Sequence, residues 1–195
     1  MARKPGGTGT PVSYEDLLAL PEHVVGEIVD GELVVSPRPA APHALASSVL
    51  GGELSGPFHR GRGGPGGWWI LDEPELHLGP DVLVPDLAGW RRDRMPRLPT
   101  TPFFELPADW VCEVISPSSA RMDRAQKVRI YGRHRVPWVW LVDPLARTVE
   151  VLSLEDGRAV LTTVASADEK VRLPPFDAIE LELSALWEPD EPIPG

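Results

Sequence analysis

Hydrophobic positions along this chain fall into short runs, many of them β-branched, broken by proline and glycine. "SYEDLLALPE" has helical spacing, with Ser13 placed to cap it and acidic residues in its first turn. "GEIVDGELVVSP" predicts two strands joined by an Asp30-Gly31 hairpin turn. "PHALASSVLGGEL" returns to helical spacing through Leu45, Val49 and Leu50, and Gly51-Gly52 weakens its end. "HRGRGGPGG" is a loop. Its glycines do not make a phosphate cradle, because no Gly-Lys-Ser/Thr follows and no helix opens after them. "WWILDEPELHL", "VLVPDLAGW" and "WVCEVIS" predict three successive strands, and the linker "RRDRMPRLPTTPFFELP" is too rich in proline for regular structure. Ser118 or Ser119 then caps a helix running to about His134, and "PWVWLVDP" is a buried strand. "TVEVLSLEDG", "AVLTTVA" and "FDAIELELSALW" close the chain as an antiparallel meander.

The order of elements predicts a mixed α/β (α+β) fold: one central mixed sheet flanked by helices, with the antiparallel meander added at its C-terminal end. It occupies a single domain over 13–187, between a disordered Gly/Pro/Thr-rich tail (1–12) and a Pro/Glu tail (188–195). No apolar run approaches the ~20 residues that a membrane helix needs, so no membrane partner is expected. The opening "MARKPGGTGTPVS" lacks the apolar stretch of a signal peptide. The lone cysteine, Cys112, excludes an intrachain disulfide and fits the reducing cytoplasm. Strand alternation turns its thiol away from Glu113, as expected of an inert buried group.

Two carboxylates stand out against this pattern. Asp86 and Glu113 each sit inside an apolar strand run, where an ionised carboxylate is costly unless it is paired, hydrogen-bonded or bound to a metal. Alternation puts Val111, Glu113 and Ile115 on one face of their strand, and Asp86 on a face with Val84 and Ala88. If the two strands are neighbours, the acids converge and repel unless a divalent cation lies between them. Oxygen ligands with few imidazoles favour magnesium, or manganese, over zinc. On the following helix Asp123, Lys127 and Tyr131 are spaced i, i+4, i+8 and share one face. That helix is otherwise written with Arg121, Arg124, Arg129, Arg133 and Arg135, and it keeps one of only three lysines in the chain at position 127.

Pro85-Asp86 followed by a Glu near the end of the next strand resembles the PD-(D/E)XK nuclease superfamily, although Ile115 stands where that motif has its lysine. The fuller resemblance is to the Uma-two-type restriction endonuclease family, formerly a domain of unknown function. "GEIVDGELVVSPRPAAPH", "VPDLAGW", "CEVISPSS", "DRAQKVRIY" and "VPWVWLVDP" occur in its order over roughly Tyr14 to Val151. The resemblance implies a restriction-endonuclease-like core and a magnesium-dependent endonuclease. Asp86, Glu113 and the carbonyl of Val114 would be the metal ligands, and Lys127, migrated onto the helix, the catalytic lysine. His43 and Asp123 are supporting candidates.

Charge modifies this picture. The chain carries −10 overall, which disfavours a phosphate-rich partner. The segment from Arg91 to Arg135 is nonetheless +5 and the remainder −15. Arg91, Arg92, Arg94, Arg121, Arg124 and Arg129 are therefore candidate phosphate contacts for a nucleic acid, with DNA the expected polymer. Cleavage of a duplex would favour a homodimer. The alternative is a catalytically inactive nuclease-like fold used as a binding or dimeric scaffold, which the overall acidity favours and the intact Asp–Glu–Lys set opposes. Glu27 and Glu32 flank the first hairpin turn and are not expected as ligands. Tyr131 is expected in the core, and Asp143 in turn chemistry.

Overall fold

The computed structural model describes residues 2–4, 12–21, 23–36 and 38–189; most of the two expected tails lies outside them. In chain order the elements are β1 (Ala2–Lys4), α1 (Tyr14–Leu18), β2 (Val25–Val29), β3 (Glu32–Ser36), α2 (Ala41–Leu54), β4 (Trp68–Asp72), β5 (Glu75–Leu78), β6 (Asp81–Leu83), β7 (Leu87–Arg91) and β8 (Phe103–Phe104). They continue with β9 (Trp110–Val114), α3 (Val128–Arg133), β10 (Trp138–Asp143), β11 (Thr148–Glu155), β12 (Arg158–Ser166), β13 (Lys170–Val171) and β14 (Leu181–Glu182). Among the described residues no helix is long and apolar enough to cross a membrane.

The sequence pattern predicts one central sheet, and the chain builds two six-stranded sheets, ordered β12-β11-β10-β9-β7-β4 and β1-β3-β2-β6-β5-β8. Proline is the reason. "WWILDEPELHL" and "VLVPDLAGW" each look like one strand, but Pro74 and Pro85 cannot donate to a ladder. Each run therefore breaks in two. β4 pairs with β7 in the central sheet and β5 with β6 in the second sheet, so a single long hairpin bends from one sheet into the other. The Glu73 N–H donates to the Asp86 carbonyl at 3.0 Å and ties the two bends together. Asp86 thus lies in a kink rather than in a strand, and the face that alternation predicts for it with Val84 and Ala88 does not exist.

The central sheet is mixed. β9 and β10 run parallel, joined by the helical crossover through α3, while β7, β11 and β12 are antiparallel additions. The meander is present in β11 and β12, but "FDAIELELSALW" forms only the two-residue β14 and a 3₁₀ turn over Leu183–Leu186. Alternation along β9 divides the core as expected. Trp110, Cys112 and Val114 pack under α2 with Trp68, Trp140 and Phe176, while Val111 and Ile115 pack with Tyr131 of α3 and Leu83 of the second sheet. Glu113 belongs to the latter side, between the two sheets.

Helix α2 runs through Gly51-Gly52 and on into a π-helical turn, Ser55–His59. Gly51 allows α2 to lie close on the sheet, since a Cβ there would come 3.3 Å from Leu87 Cδ2 and 3.1 Å from Asp72 Oδ1. Gly89, in the middle of β7, is tighter still: a Cβ would meet Ile70, Trp68 and Trp110 at 3.1, 3.2 and 3.3 Å. Gly89→Val therefore overpacks the aromatic side of the core. Urea unfolding is expected to show a loss of roughly 2 kcal/mol, and an unchanged midpoint would contradict this packing.

Candidate active site

Three separate elements deliver the site. The Pro85 kink presents Asp86, β9 presents Glu113, and the π-helical segment Met122–Lys127 ahead of α3 presents Asp123 and Lys127. β7 and β9 are hydrogen-bonded neighbours, with Leu87 opposite Cys112, so the two acids emerge side by side. The Val114 N–H donates to Asp86 Oδ2 at 2.7 Å, and Asp86 Oδ1 lies 3.2 Å from His43 Nε2 on α2. Asp123, Lys127 and Tyr131 share the predicted face despite the π-helical winding. Asp123 pairs with Lys127 at 3.6 Å, and the Tyr131 hydroxyl donates to Glu113 Oε1.

Lys127 is the hub. Its Nζ lies 3.0 Å from Glu113 Oε2 and 2.8 Å from Glu27 Oε1, with only 4% of the residue exposed. The sequence reading does not place Glu27 here. It projects from β2, and the same Oε1 accepts the Val84 N–H at 2.8 Å, just before the kink that holds Asp86. A signal for it exists: Glu27 is a carboxylate inside an apolar strand run, which is the argument that singles out Glu113.

Burial sets the electrostatics. Desolvation pushes the Asp86 carboxyl up to about 6, with His43, the Val114 N–H and Lys127 pulling against it. Desolvation likewise raises Glu113 well above the usual carboxylate range. Lys127 opposes that shift, while Asp123, Glu27 and Asp86 reinforce it. Burial alone would lower the Lys127 ammonium, but Glu113, Glu27 and Asp123 outweigh it and hold the charge firmly. The Tyr131 hydroxyl is raised by burial and by Glu113, so it stays a donor. Cys112 is fully buried and its thiol is raised by desolvation, in keeping with an inert group.

A cavity of about 350 Å³ opens onto this cluster, lined among others by Glu27, His43, Asp86, Glu113, Asp123 and Lys127. Its donor chemistry suits a hard divalent cation: five carboxylates line it with Lys127 and Arg38, and no thiolate is at hand. Among the described residues no three His, Cys, Asp or Glu side chains form a ready-made metal cage. An ion that keeps several of its waters and takes only one or two carboxylates, as magnesium does, matches this better than a site built for zinc.

The arginines fare differently. Arg92 donates to the Trp68 and His59 carbonyls, Arg94 to Asp109 and the Pro107 carbonyl, Arg124 to Glu150, and Arg129 to Asp30. Arg91 stacks over Trp68 at the end of β7 away from Asp86. Counting charge finds these residues but not the partners that already occupy most of them. Of the six, Arg121 is exposed with no polar partner for its guanidinium among the described residues. Arg38, which sequence reasoning passes over, is exposed and lines the cavity. Asp143 accepts the Leu145 and Ala146 N–H groups, as its turn role predicts.

Comparison with known proteins agrees with this architecture. The sequence profile of the Uma2 family, described as "Putative restriction endonuclease", matches residues 13–185. Among solved structures the chain is similar to "a putative nuclease belonging to DUF820 from Anabaena variabilis ATCC 29413", with a TM-score of 0.73 and 22% identity. That match covers 90% of this chain and 97% of the other, and at such identity it speaks for the fold. No curated protein matches.

Proposed function

Because the chain belongs to the Uma2 family, we propose that its cavity hydrolyses phosphodiester bonds of a nucleic acid, with magnesium or manganese as cofactor. The observation that supports this most is the meeting of Asp86, Glu113 and Lys127, from three separate elements, at one cavity. Asp86 and Glu113 would hold the ion, with the Val114 carbonyl as a further ligand. Once bound, the ion supplies a Lewis acid for the scissile phosphate and makes the attacking water more acidic.

The chain's own groups do the rest. Lys127 has three N–H donors; Glu113 and Glu27 take two, and Asp123 at 3.6 Å lies beyond hydrogen-bond range. The third N–H is left to orient water or to meet charge developing on the phosphate. Tyr131 fixes the far oxygen of Glu113, and His43 and the Val114 N–H fix Asp86. Arg38, which lines the cavity, and the exposed Arg121 would take flanking phosphates, positioning the polymer without reading its sequence. A DNA duplex as substrate would call for a second copy of the chain to reach the other strand.

The engagement of Arg92, Arg94, Arg124 and Arg129 with internal partners supports the second reading, a catalytically silent scaffold. One experiment separates the two. Supercoiled plasmid and labelled single- and double-stranded oligonucleotides are incubated with the protein in Mg²⁺, in Mn²⁺ and in EDTA. Metal-dependent cleavage that disappears in Glu113→Gln is the expected result. If nothing is cut and calorimetry finds no Mg²⁺ or Mn²⁺ binding at millimolar concentration, the nuclease reading is overturned.

A further inference from the structure

We propose that Glu27 is the positioning residue for Lys127, and that it locks the lysine to the kink carrying Asp86. This rests on the nuclease reading of the same cavity. Lysine is a compact charge on a flexible four-carbon stem, and nothing in its own structure aims it. Here the stem is buried and the ammonium is held at two points, Glu113 Oε2 at 3.0 Å and Glu27 Oε1 at 2.8 Å. The Glu27 contact is the shorter, and it comes from the second sheet, a different layer from β9 and α3.

The atom that holds Lys127 does a second job. Glu27 Oε1 also accepts the Val84 N–H at 2.8 Å, two residues ahead of Asp86. One buried oxygen therefore fixes the distance between the lysine and the chain segment that carries the first carboxylate. Glu27 is only 3% exposed, so water cannot readily replace it in either bond. Without it, Lys127 would pivot about Glu113 and its third N–H would lose its aim. A displacement of about 1 Å in such a group commonly costs on the order of 100-fold in rate.

The charge of Glu27 matters less than its oxygen in this arrangement. The Glu27→Gln substitution keeps a carbonyl oxygen for both donors, whereas Glu27→Ala removes it and orphans the Val84 N–H. The test compares Glu27→Ala and Glu27→Gln in Mg²⁺-dependent cleavage at a temperature where both remain folded by circular dichroism. The expected result is a fall in kcat of at least about 30-fold for Glu27→Ala, with KM for the nucleic acid and calorimetric Mg²⁺ affinity within about twofold of wild type. Glu27→Gln should recover most of the lost kcat. A merely structural glutamate would lower the unfolding temperature without separating kcat from KM, and a folded Glu27→Ala with kcat within about threefold of wild type sinks the proposal.

If Glu27→Ala does not fold, Glu27→Gln and Glu27→Asp carry the test, because Asp shortens the reach and should fail where Gln succeeds. A double-mutant cycle of Glu27→Asp, which withdraws the oxygen from Lys127, with Lys127→Met, read by urea unfolding, stands apart from activity. Coupling of at least about fivefold in the unfolding constant is expected, and none would overturn the Glu27–Lys127 lock. Absence of cleavage by the wild type would count against the nuclease reading and remove the catalytic role assigned to Glu27. The cycle would still decide whether Glu27 holds the lysine.

Discussion

Lys127→Ala is expected to unfold roughly 10 °C below the wild type at pH 8 and to lose cleavage by about 10³-fold. The stability loss follows from what surrounds the ammonium. Glu113, Glu27 and Asp123 are all nearly inaccessible, and Lys127 is the cation they share. Removing one partner from a buried ion pair strands the other in a poorly solvated site, typically at about 3–5 kcal/mol. Here three acids lose their cation at once, and Glu113, already raised by burial, loses the group that opposes that shift. With its folded-state carboxyl held above the unfolded value, folding is favoured below the ordinary carboxylate range and penalised as pH rises. The difference in melting temperature between Lys127→Ala and wild type should therefore be largest at pH 8 and shrink markedly at pH 5. A pH-independent difference would mean that lost packing of the lysine stem, and not stranded charge, causes the defect. Lys127→Arg should fold better than Ala yet not restore cleavage, because a planar guanidinium cannot occupy a site shaped around a point charge.

How much of this can be read from the sequence depends on whether the deciding interaction is local. The Asp30-Gly31 hairpin is legible because both residues adopt positive φ, 50° and 80°, in a two-residue turn that favours this dipeptide. The face of Glu113 is legible because β9 is a regular strand and alternation holds along it. Lys127 is legible because four-residue spacing keeps it beside Asp123 and Tyr131 even in a π-helical segment. The second sheet is not, since periodicity says where a strand runs but not which sheet it joins, and the break at each proline looks like a blemish in one strand. Glu27 escapes for a related reason: it meets a residue 100 positions away, and its hairpin pattern leaves open which face turns inward. The arginines are miscounted because net charge is a sum. It records Arg94 and Arg129 as free positive groups when Asp109 and Asp30 already hold them.

Asp86→Asn is expected to abolish cleavage while making the metal-free protein more stable at pH 8. The two effects have one origin. Desolvation raises the Asp86 carboxyl from 3.8 to about 6, so the fold prefers it protonated. A group with a raised folded pKa stabilises the fold fully below its unfolded value, and that contribution fades as pH climbs through the folded value. Between pH 7 and 8 wild-type Asp86 is ionised in a site that disfavours the charge, and a shift of this size corresponds to a penalty of up to about 3 kcal/mol. Asparagine keeps an oxygen for the Val114 N–H and removes the charge, but it gives up the attraction to His43. A net gain of about 1–2 kcal/mol at pH 8, vanishing near pH 4, is the expected balance. Mg²⁺ should raise the melting temperature of the wild type, because a divalent ion offsets the same buried charge. It should do so less at pH 5, where protons compete for the carboxylate, and scarcely at all in Asp86→Asn. Thermal melts of both proteins from pH 4 to 8, with and without Mg²⁺, measure all of this together. A less stable Asn variant at pH 8 would mean that Asp86 is a structural acid held by its hydrogen bonds. A stabilised variant that no longer responds to Mg²⁺ would mark Asp86 as a charge the fold tolerates for the sake of the ion it binds.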